Sequence, residues 1–197
     1  MSQPWAPLTS HAVLVARDDI DTDQIIPARF LTTTTRSGLG QHLFADWRYH
    51  SDGSAITTCE LNAPASAGAQ ILVGGRNFGC GSSREHAAWA LIDGGFRAVI
   101  ASSFADIFRS NAHKNGVLTI ALDEAVLLRV HDALRAHAFA RITVDLAEQT
   151  IALPDDTTAR FTIDAFSKRC LLEGLDELGA LLAELPAIEA WEAACAR

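Results

Sequence analysis

Gly74 to Leu91, reading GGRNFGCGSSREHAAWAL, is the stretch that decides the fold, because it joins a strand pattern to a helix pattern through a glycine-rich loop. The preceding run, Ala69 to Val73, is short, apolar and bounded by glycines, which is typical of a buried parallel strand. From Arg84 to Asp93 the apolar residues recur at helical spacing. Ser82 to Glu85 reads S-x-x-E and fits a capping box, which predicts Ser82 as the N-cap residue.

This loop predicts an anion-binding site. It brings Ser82, Ser83 and Arg84 to the start of a helix, where free amides and the helix dipole favour a carboxylate or a phosphate. An arginine there can add a bidentate contact. A dinucleotide fingerprint is not met, because Arg84 occupies its third glycine position, and no P-loop lysine follows. The plainer alternative stays open: the glycines make a tight turn and the serines cap the helix.

Alternating strand and helix patterns continue along the chain and predict a single α/β domain over residues 1–197. The order from Ala69 to Leu122 is strand-helix-strand-helix-strand, which implies a parallel βαβαβ core with right-handed crossovers. Further strands are predicted at 11–16, 97–102, 117–122, 142–146, 151–153 and 160–163. One further helix is predicted at 104–113, and another follows Asp123 as its N-cap and ends at 137.

The segment from Gly174 to Ala196 predicts an amphipathic helix interrupted at Pro186. Its leucines are expected to seal the core, with a role as a partner-binding helix left as the alternative. They are Leu175, Leu178, Leu181, Leu182 and Leu185.

Charge and composition exclude several classes of function. The net charge is −8, and neither basic runs nor interleaved aromatic residues occur, which argues against nucleic acid or an anionic membrane as a partner. The start of the chain has no signal-peptide pattern, and no apolar run reaches the ~18 residues of a membrane helix. A cytoplasmic protein is therefore predicted.

The cysteines predict neither a disulfide framework nor a metal site in this chain. They are widely spaced and include no CxxC pair: Cys59, Cys80, Cys170 and Cys195. Cys80 could be a reactive thiol at a helix start, although a small residue lining a tight loop is the favoured interpretation. His86 is interpreted as a packed or polar helix residue rather than a metal ligand.

A second unusual region, residues 18–47, is predicted to be a functional loop, because it is long, polar and rich in turn residues. It holds four carboxylates, Asp18, Asp19, Asp21 and Asp23, but lacks the glycine and the final glutamate of an EF-hand. The region has few large apolar anchors beyond Ile25, Ile26, Phe30 and Leu31. The loop 18–47 is therefore expected to be disordered without its partner, and order of residues 32–40 in the isolated chain would contradict this.

Six motifs, in order along residues 11–182, closely resemble the small subunits of 3-isopropylmalate dehydratase, a family of the aconitase superfamily. They are DTDQIIPARFL, TRSGLG, HLFADWR, GRNFGCGSSREHAAWAL, FADIF and RFTIDAF. The resemblance implies a swivelling β/β/α domain like the aconitase C-terminal domain, made as a separate chain that joins a large subunit carrying a 4Fe–4S cluster. It implies no cofactor in this chain.

The implied activity is that of a hydro-lyase of leucine biosynthesis, which is active only in that complex. Such enzymes interconvert 2-isopropylmalate and 3-isopropylmalate by dehydration and rehydration. Homoaconitate or a citraconate and methylmalate pair would suit the same machinery, and a stand-alone anion-binding or phosphate-binding module is a remaining alternative.

The resemblance also implies roles for individual residues. Ser82 would be the catalytic base, with Ser83 and Arg84 supporting it and the substrate carboxylate. Asp23 would be the catalytic acidic residue that partners a histidine of the large subunit. Arg36 would bind the substrate carboxylate, although the threonine run before it permits a slip of one residue.

Overall fold

The computed structural model describes residues 3–32 and 35–195, and within them the chain forms a mixed sheet. Its strands are β1 (Leu8–Leu14), β2 (Ile71–Val73), β3 (Ala98–Ala101), β4 (Leu118–Ala121), β5 (Arg141–Asp145), β6 (Thr150–Ala152) and β7 (Thr158–Arg160). Their order across the sheet is β4-β3-β2-β1-β5-β6-β7.

The helices are α1 (Thr22–Ile25), α2 (Ala45–Arg48), α3 (Glu85–Asp93), α4 (Asp106–Lys114), α5 (Glu124–Ala136), α6 (Ala165–Glu173), α7 (Glu177–Ala183) and α8 (Leu185–Cys195). Short 3-10 turns occur at Ala28–Phe30, Gly40–His42, Glu60–Asn62 and Pro64–Ser66. None of the helices in the described ranges is long and apolar enough to cross a membrane.

The predicted parallel βαβαβ core is confirmed. The strands β2, β3 and β4 pair in parallel, with α3 and α4 as their crossovers, and β1 extends the parallel set on the other side of β2. Alternate residues of these strands enter two different cores: Leu72 and Val99 pack with Leu91 of α3, whereas Ile71 and Ile100 belong to the second cluster. Helices therefore cover both faces of this sheet, as expected for a parallel sheet.

The antiparallel half, from β1 through β5 and β6 to β7, corrects two predicted boundaries. The first strand begins at Leu8 rather than His11, because residues Leu8 to His11 pair with β5. The last strand is Thr158–Arg160 rather than 160–163, since Arg160 pairs with Thr150 and the chain then turns towards Asp164, the N-cap of α6. The first error arises from pairing with a strand that is distant in sequence, and the second from the register of the hairpin formed by β6 and β7.

Four of the five C-terminal leucines contradict the expectation that they seal the core, whereas Leu175 is partly buried. Leu178, Leu181, Leu182 and Leu185 are 63%, 59%, 57% and 44% exposed. The predicted interruption is present, since α7 ends before Glu184 and Pro186 lies in the first turn of α8. Helices α3 and α4 pack on one sheet face and α5 on the other, and the core clusters on both faces form without these leucines.

The long segment after β1 packs against α3 and has more apolar anchors than the sequence pattern predicted. Ile20, Leu39, Leu43 and Phe44 are buried, in addition to Ile25 and Ile26. Thr33 and Thr34, which belong to the region expected to order only with a partner, lie outside the described residues. That expectation stays a prediction.

Candidate active site

The glycine loop lies at the carboxyl edge of β2 and is held by the segment that follows β1. The amides of Gly79 and Cys80 donate to the Ile20 carbonyl, at 2.7 and 3.2 Å, and the Thr22 amide donates to the Cys80 carbonyl at 2.9 Å. These bonds place residues 20–22 beside residues 79–82. The two regions that stood out separately in the sequence therefore form one site.

Thr22 is a residue of this site that sequence reasoning missed. It is 2% exposed, and its Oγ1 donates to the Ser82 carbonyl at 2.8 Å. A local signal was available, because Asp21 to Gln24 reads D-x-x-Q and forms the capping box of α1. The Asp21 carboxylate accepts from the Gln24 amide at 2.7 Å, and the Gln24 side chain accepts from the Asp21 amide at 3.0 Å.

Two glycines give the loop its shape. Gly79 and Gly81 have φ values of +77° and +89°, a region that other residues rarely adopt. A Cβ on Gly79 would also overlap the Phe108 ring of α4. The loop therefore needs glycine at residue 79 for two independent reasons.

The prediction that Ser82 caps the following helix is wrong. Helix α3 begins at Glu85, its N-cap residue is Arg84 in an extended conformation, and no side chain caps it. The Glu85 carboxylate does not reach back to Ser82, because it accepts a hydrogen bond from Nδ2 of Asn115 at 2.9 Å. The buried Asn115 also accepts from Nε1 of Trp89 at 2.9 Å, so that it fastens α3 to the end of α4.

Ser82 and Ser83 are available for contact with a ligand. Both are exposed, and neither hydroxyl has a hydrogen-bond partner among the described residues. Within the same residues, their amides donate to no backbone carbonyl. Two hydroxyls and two amides are therefore free immediately before the positive end of α3, the environment that stabilises an anion.

Asp23 and Arg84, two of the predicted site residues, form an ion pair through Oδ1 and Nη1. The Arg84 side chain is only 18% exposed, whereas that of Asp23 is 51% exposed. The pair joins α1 to the residue that precedes α3. A guanidinium this deeply placed has few conformations, so it can present a fixed fork to a carboxylate.

The neighbouring carboxylates act within the protein as contacts between the two loops. Asp18 accepts from the amide of Arg76 at 2.7 Å, and Asp19 accepts from the side chains of Arg76 and Asn77 at 3.2 and 2.8 Å. Asp21 caps α1. Contacts between the two loops therefore account for Asp18 and Asp19, and helix capping accounts for Asp21.

The Arg36 side chain lies away from the ion pair of Asp23 and Arg84. Its guanidinium carbon lies 5.4 Å from the centroid of the Trp89 ring, more than one helical turn along α3 from Arg84. It lines a cavity at the opposite end of that helix. A substrate contact at Ser82 would require this exposed side chain to move away from Trp89.

The environment of Cys80 agrees with its interpretation as a small residue that lines the loop. Its thiol donates to the Asp19 carbonyl at 3.3 Å. Burial, followed by the nearby Asp21 and Asp19 carboxylates, raises the pKa of the Cys80 thiol, so the reactive thiolate is disfavoured. The His86 ring lies 4.6 Å from the Trp89 ring, as expected of a packed helix residue.

The cysteines do not suit an iron–sulfur cluster. Cys59 and Cys170 are buried, Cys80 is bonded in the loop, and Cys195 is exposed at the end of α8. In the part of the chain that the structure describes, no three His, Cys, Asp or Glu side chains are grouped to hold a metal ion.

Comparison with known proteins identifies the family. The Aconitase C-terminal domain family matches residues 8–125, and LeuD_N matches residues 132–165. The chain is 54% identical to the 3-isopropylmalate dehydratase small subunit of Chloroflexus aurantiacus, over 97% of this chain and 95% of that protein. The chain belongs to the 3-isopropylmalate dehydratase small-subunit family. Members are hydro-lyase components of leucine biosynthesis within the aconitase superfamily.

Two further similarities agree with this family. The small subunit of Anaeromyxobacter dehalogenans is 53% identical, over 96% of this chain and 97% of that protein. A crystal structure titled as 3-isopropylmalate dehydratase from Methanocaldococcus jannaschii superposes with a TM-score of 0.66 at 26% identity, covering 95% of this chain and 99% of that one. The fold predicted from the resemblance, an aconitase C-terminal-like α/β domain with C-terminal helices, is confirmed.

Proposed function

We propose that this chain supplies the base and the anion-binding groups for the interconversion of 2-isopropylmalate and 3-isopropylmalate, in a cytoplasmic complex with a large subunit. Membership of a small-subunit family implies that partner. The observation that carries the proposal is the loop around Ser82, whose free hydroxyls and amides lie beside a deeply placed arginine. Those groups are what proton removal next to a carboxylate requires.

Ser82 is the proposed base. A serine hydroxyl is not ionised near pH 7, so its alkoxide must be stabilised by fixed positive groups. The free loop amides and the positive end of α3 lie immediately beside it. The bond from Thr22 to the Ser82 carbonyl fixes the backbone at this position, which holds the Cβ of Ser82 in place and leaves its hydroxyl unbonded.

Arg84 and Ser83 are the proposed holders of the substrate carboxylate. Arg84 contacts Asp23 through Nη1, which orients the guanidinium. Asp23 is half exposed, so it can also face a side chain of the large subunit, as the resemblance implies. Arg36 is the proposed second carboxylate-binding arginine, and its exposed side chain must move away from Trp89 to contact the substrate.

The iron–sulfur cluster belongs to the large subunit in this proposal. The cysteines of this chain lie apart and do not suit a cluster. None of the roles proposed for Ser82, Ser83, Arg84, Asp23 and Arg36 requires these residues to bind the cluster.

The exposed apolar face of α7 and α8, here called the docking face, supports contact with a partner chain. Within α8 no residue is buried, and Leu185, Ile188 and Trp191 are exposed on one side of it. A helix of eleven residues is marginal in water unless it packs against something. Since Glu189 and Glu192 lie beside the apolar residues, self-association would bring carboxylates together. A partner with an apolar surface and a basic rim fits better, and we assign the large subunit to it.

Reconstitution tests the function. The purified chain, mixed with an iron–sulfur large subunit under anaerobic conditions, is expected to convert 2-isopropylmalate with at least tenfold higher kcat/KM than homoaconitate or citraconate. Turnover by the chain alone, or a preference for another of these substrates, would contradict the proposal.

A pair of substitutions tests the docking face formed by α7 and α8. Leu181→Glu is expected to weaken assembly with the large subunit while leaving the denaturation midpoint of the isolated chain unchanged, because Leu181 is 59% exposed. The control is Leu128→Glu on α5, an equally apolar residue that is 52% exposed. Equal affinity of both variants for the large subunit, measured by size-exclusion chromatography with light scattering, would remove this face from the proposal.

A further inference from the structure

A cavity of about 510 Å³ lies at the amino edge of the parallel strands, away from the glycine loop. Residues Gln70, Arg97 and Gly116, which precede β2, β3 and β4, line its floor. Trp89 and Ile92 of α3 form its apolar wall. The volume falls within the range of small-molecule sites, about 300 to 1,000 Å³.

Three cationic side chains, Arg36, Arg97 and Lys114, line this cavity, against one carboxylate, Asp176. Asp176 is already engaged, since its Oδ1 accepts from the Gly179 amide at 2.7 Å as the N-cap of α7. The chain as a whole has a net charge of −8. A local excess of positive charge in an acidic protein is a specific feature rather than a consequence of composition.

Two of these cations have no carboxylate partner among the described residues. Arg97 donates to Oε1 of Gln3 at 2.9 Å and to the Gln3 carbonyl at 3.3 Å, both neutral acceptors. Arg36 contacts the ring of Trp89. Lys114, in contrast, has a carboxylate 3.0 Å away, from Glu177.

Arg97 is the more unusual of the two, because it is partly buried and burial lowers the pKa of its guanidinium. A partly buried charge without a counter-charge is less favourable than a paired one, and an anion beside it would offset part of that cost. Most other arginines of the described chain have carboxylate partners, for example Arg17, Arg29, Arg76, Arg109, Arg129, Arg135 and Arg169.

We propose that this cavity binds a small dicarboxylate, one acidic group on Arg97 and the other on Arg36, with its hydrocarbon part against Trp89 and Ile92. The planar guanidinium fork matches a carboxylate, and a flat apolar wall suits the short carbon chain between two carboxylates. This site does not require the function proposed for Ser82. Arg36 is shared between the two proposals, so the test relies on Arg97.

The test measures succinate binding to the full chain by isothermal titration calorimetry, with inorganic phosphate as the second probe. Saturable 1:1 binding of succinate is expected, and Arg97→Gln is expected to raise the Kd about tenfold or more, since it removes a charged bidentate contact. Phosphate is expected to bind more weakly than succinate, because it cannot contact both guanidiniums and the wall.

Two matched controls separate this cavity from other arginines. Arg160→Gln, on the edge strand β7, is the neutral control and is expected to leave the Kd for succinate within twofold of the wild-type value. Arg84→Gln, at the glycine loop, shows whether succinate binds at that loop instead. The same Kd for Arg97→Gln as for wild type, or loss of binding in Arg84→Gln with retention in Arg97→Gln, would overturn the proposal. Phosphate binding as tightly as succinate would overturn the dicarboxylate assignment.

Discussion

Replacement of Ser82 by alanine is expected to abolish turnover while leaving the stability of the chain unchanged. An N-cap serine is worth about 1 kcal/mol of stability. Ser82 is not the cap, however, because α3 begins at Glu85 with Arg84 before it. Its hydroxyl is exposed and without a partner in the described residues, so truncation is expected to change the free energy of unfolding by less than about 0.5 kcal/mol.

The expected effect on catalysis is much larger. A positioned general base contributes roughly 10²-fold to 10⁴-fold to the rate, which corresponds to about 3 to 5 kcal/mol in the barrier. The variant is therefore expected to lose at least a hundredfold in kcat with a normal denaturation midpoint. The backbone bond from Thr22 to the Ser82 carbonyl is preserved in Ser82→Ala, so the loop keeps its shape.

The assay is steady-state kinetics of the complex reconstituted with the large subunit, together with urea denaturation of the isolated chain. Ser110→Ala, an exposed serine of α4 with no assigned role, is the control for the substitution itself. If Ser82→Ala keeps more than about a tenth of wild-type kcat, the loss is under ~1.4 kcal/mol in the barrier. Another group then removes the proton, and the role assigned to Ser82 is refuted.

Three further predictions follow from contacts around the site and in the core. Thr22→Val leaves the Ser82 carbonyl without its buried donor, so it is expected to cost about 1 to 2 kcal/mol in urea denaturation and to lower kcat; unchanged stability would contradict the role of Thr22. Gly79→Ala is expected to destabilise by more than about 3 kcal/mol, whereas Gly53→Ala, also at positive φ but in open space, should cost about 1 kcal/mol. Burial lowers the pKa of His113 from 6.5 to about 4, so the unfolded chain binds a proton there that the folded chain does not. Stability is therefore expected to be full above pH 6.5 and to fall by up to about 3 kcal/mol as the pH decreases towards 4, and His113→Gln should flatten that dependence in pH-resolved denaturation.

The sequence by itself determined the order of strands and helices in the parallel core. Apolar runs of β2, β3 and β4 are short and continuous because both faces of those strands are buried, and the helices between them show their period directly. Motifs that matched a family in order along the chain then predicted the fold and the function that the comparisons show.

Contacts between distant residues decided what local pattern could not. The S-x-x-E pattern at Ser82 locally favours a capping box. In the structure, however, Asn115 donates a hydrogen bond to the Glu85 carboxylate, and Thr22 donates one to the Ser82 carbonyl. Neither partner is near in sequence. The N-cap residue of α3 is therefore Arg84 rather than Ser82, and the Ser82 hydroxyl does not cap the helix.

The exposure of the C-terminal leucines and the position of Arg36 were also decided by tertiary structure. A period of 3.6 residues identifies which side chains share a helix face, but it does not predict whether that face packs on the core, contacts a partner or is exposed to solvent. In this chain the core clusters form without the leucines of α7, which face outward, and Arg36 lies on Trp89 rather than beside Arg84. Local sequence determines helices and strands through short-range sterics and hydrogen bonds, whereas the partner of each surface depends on the packing of the whole chain.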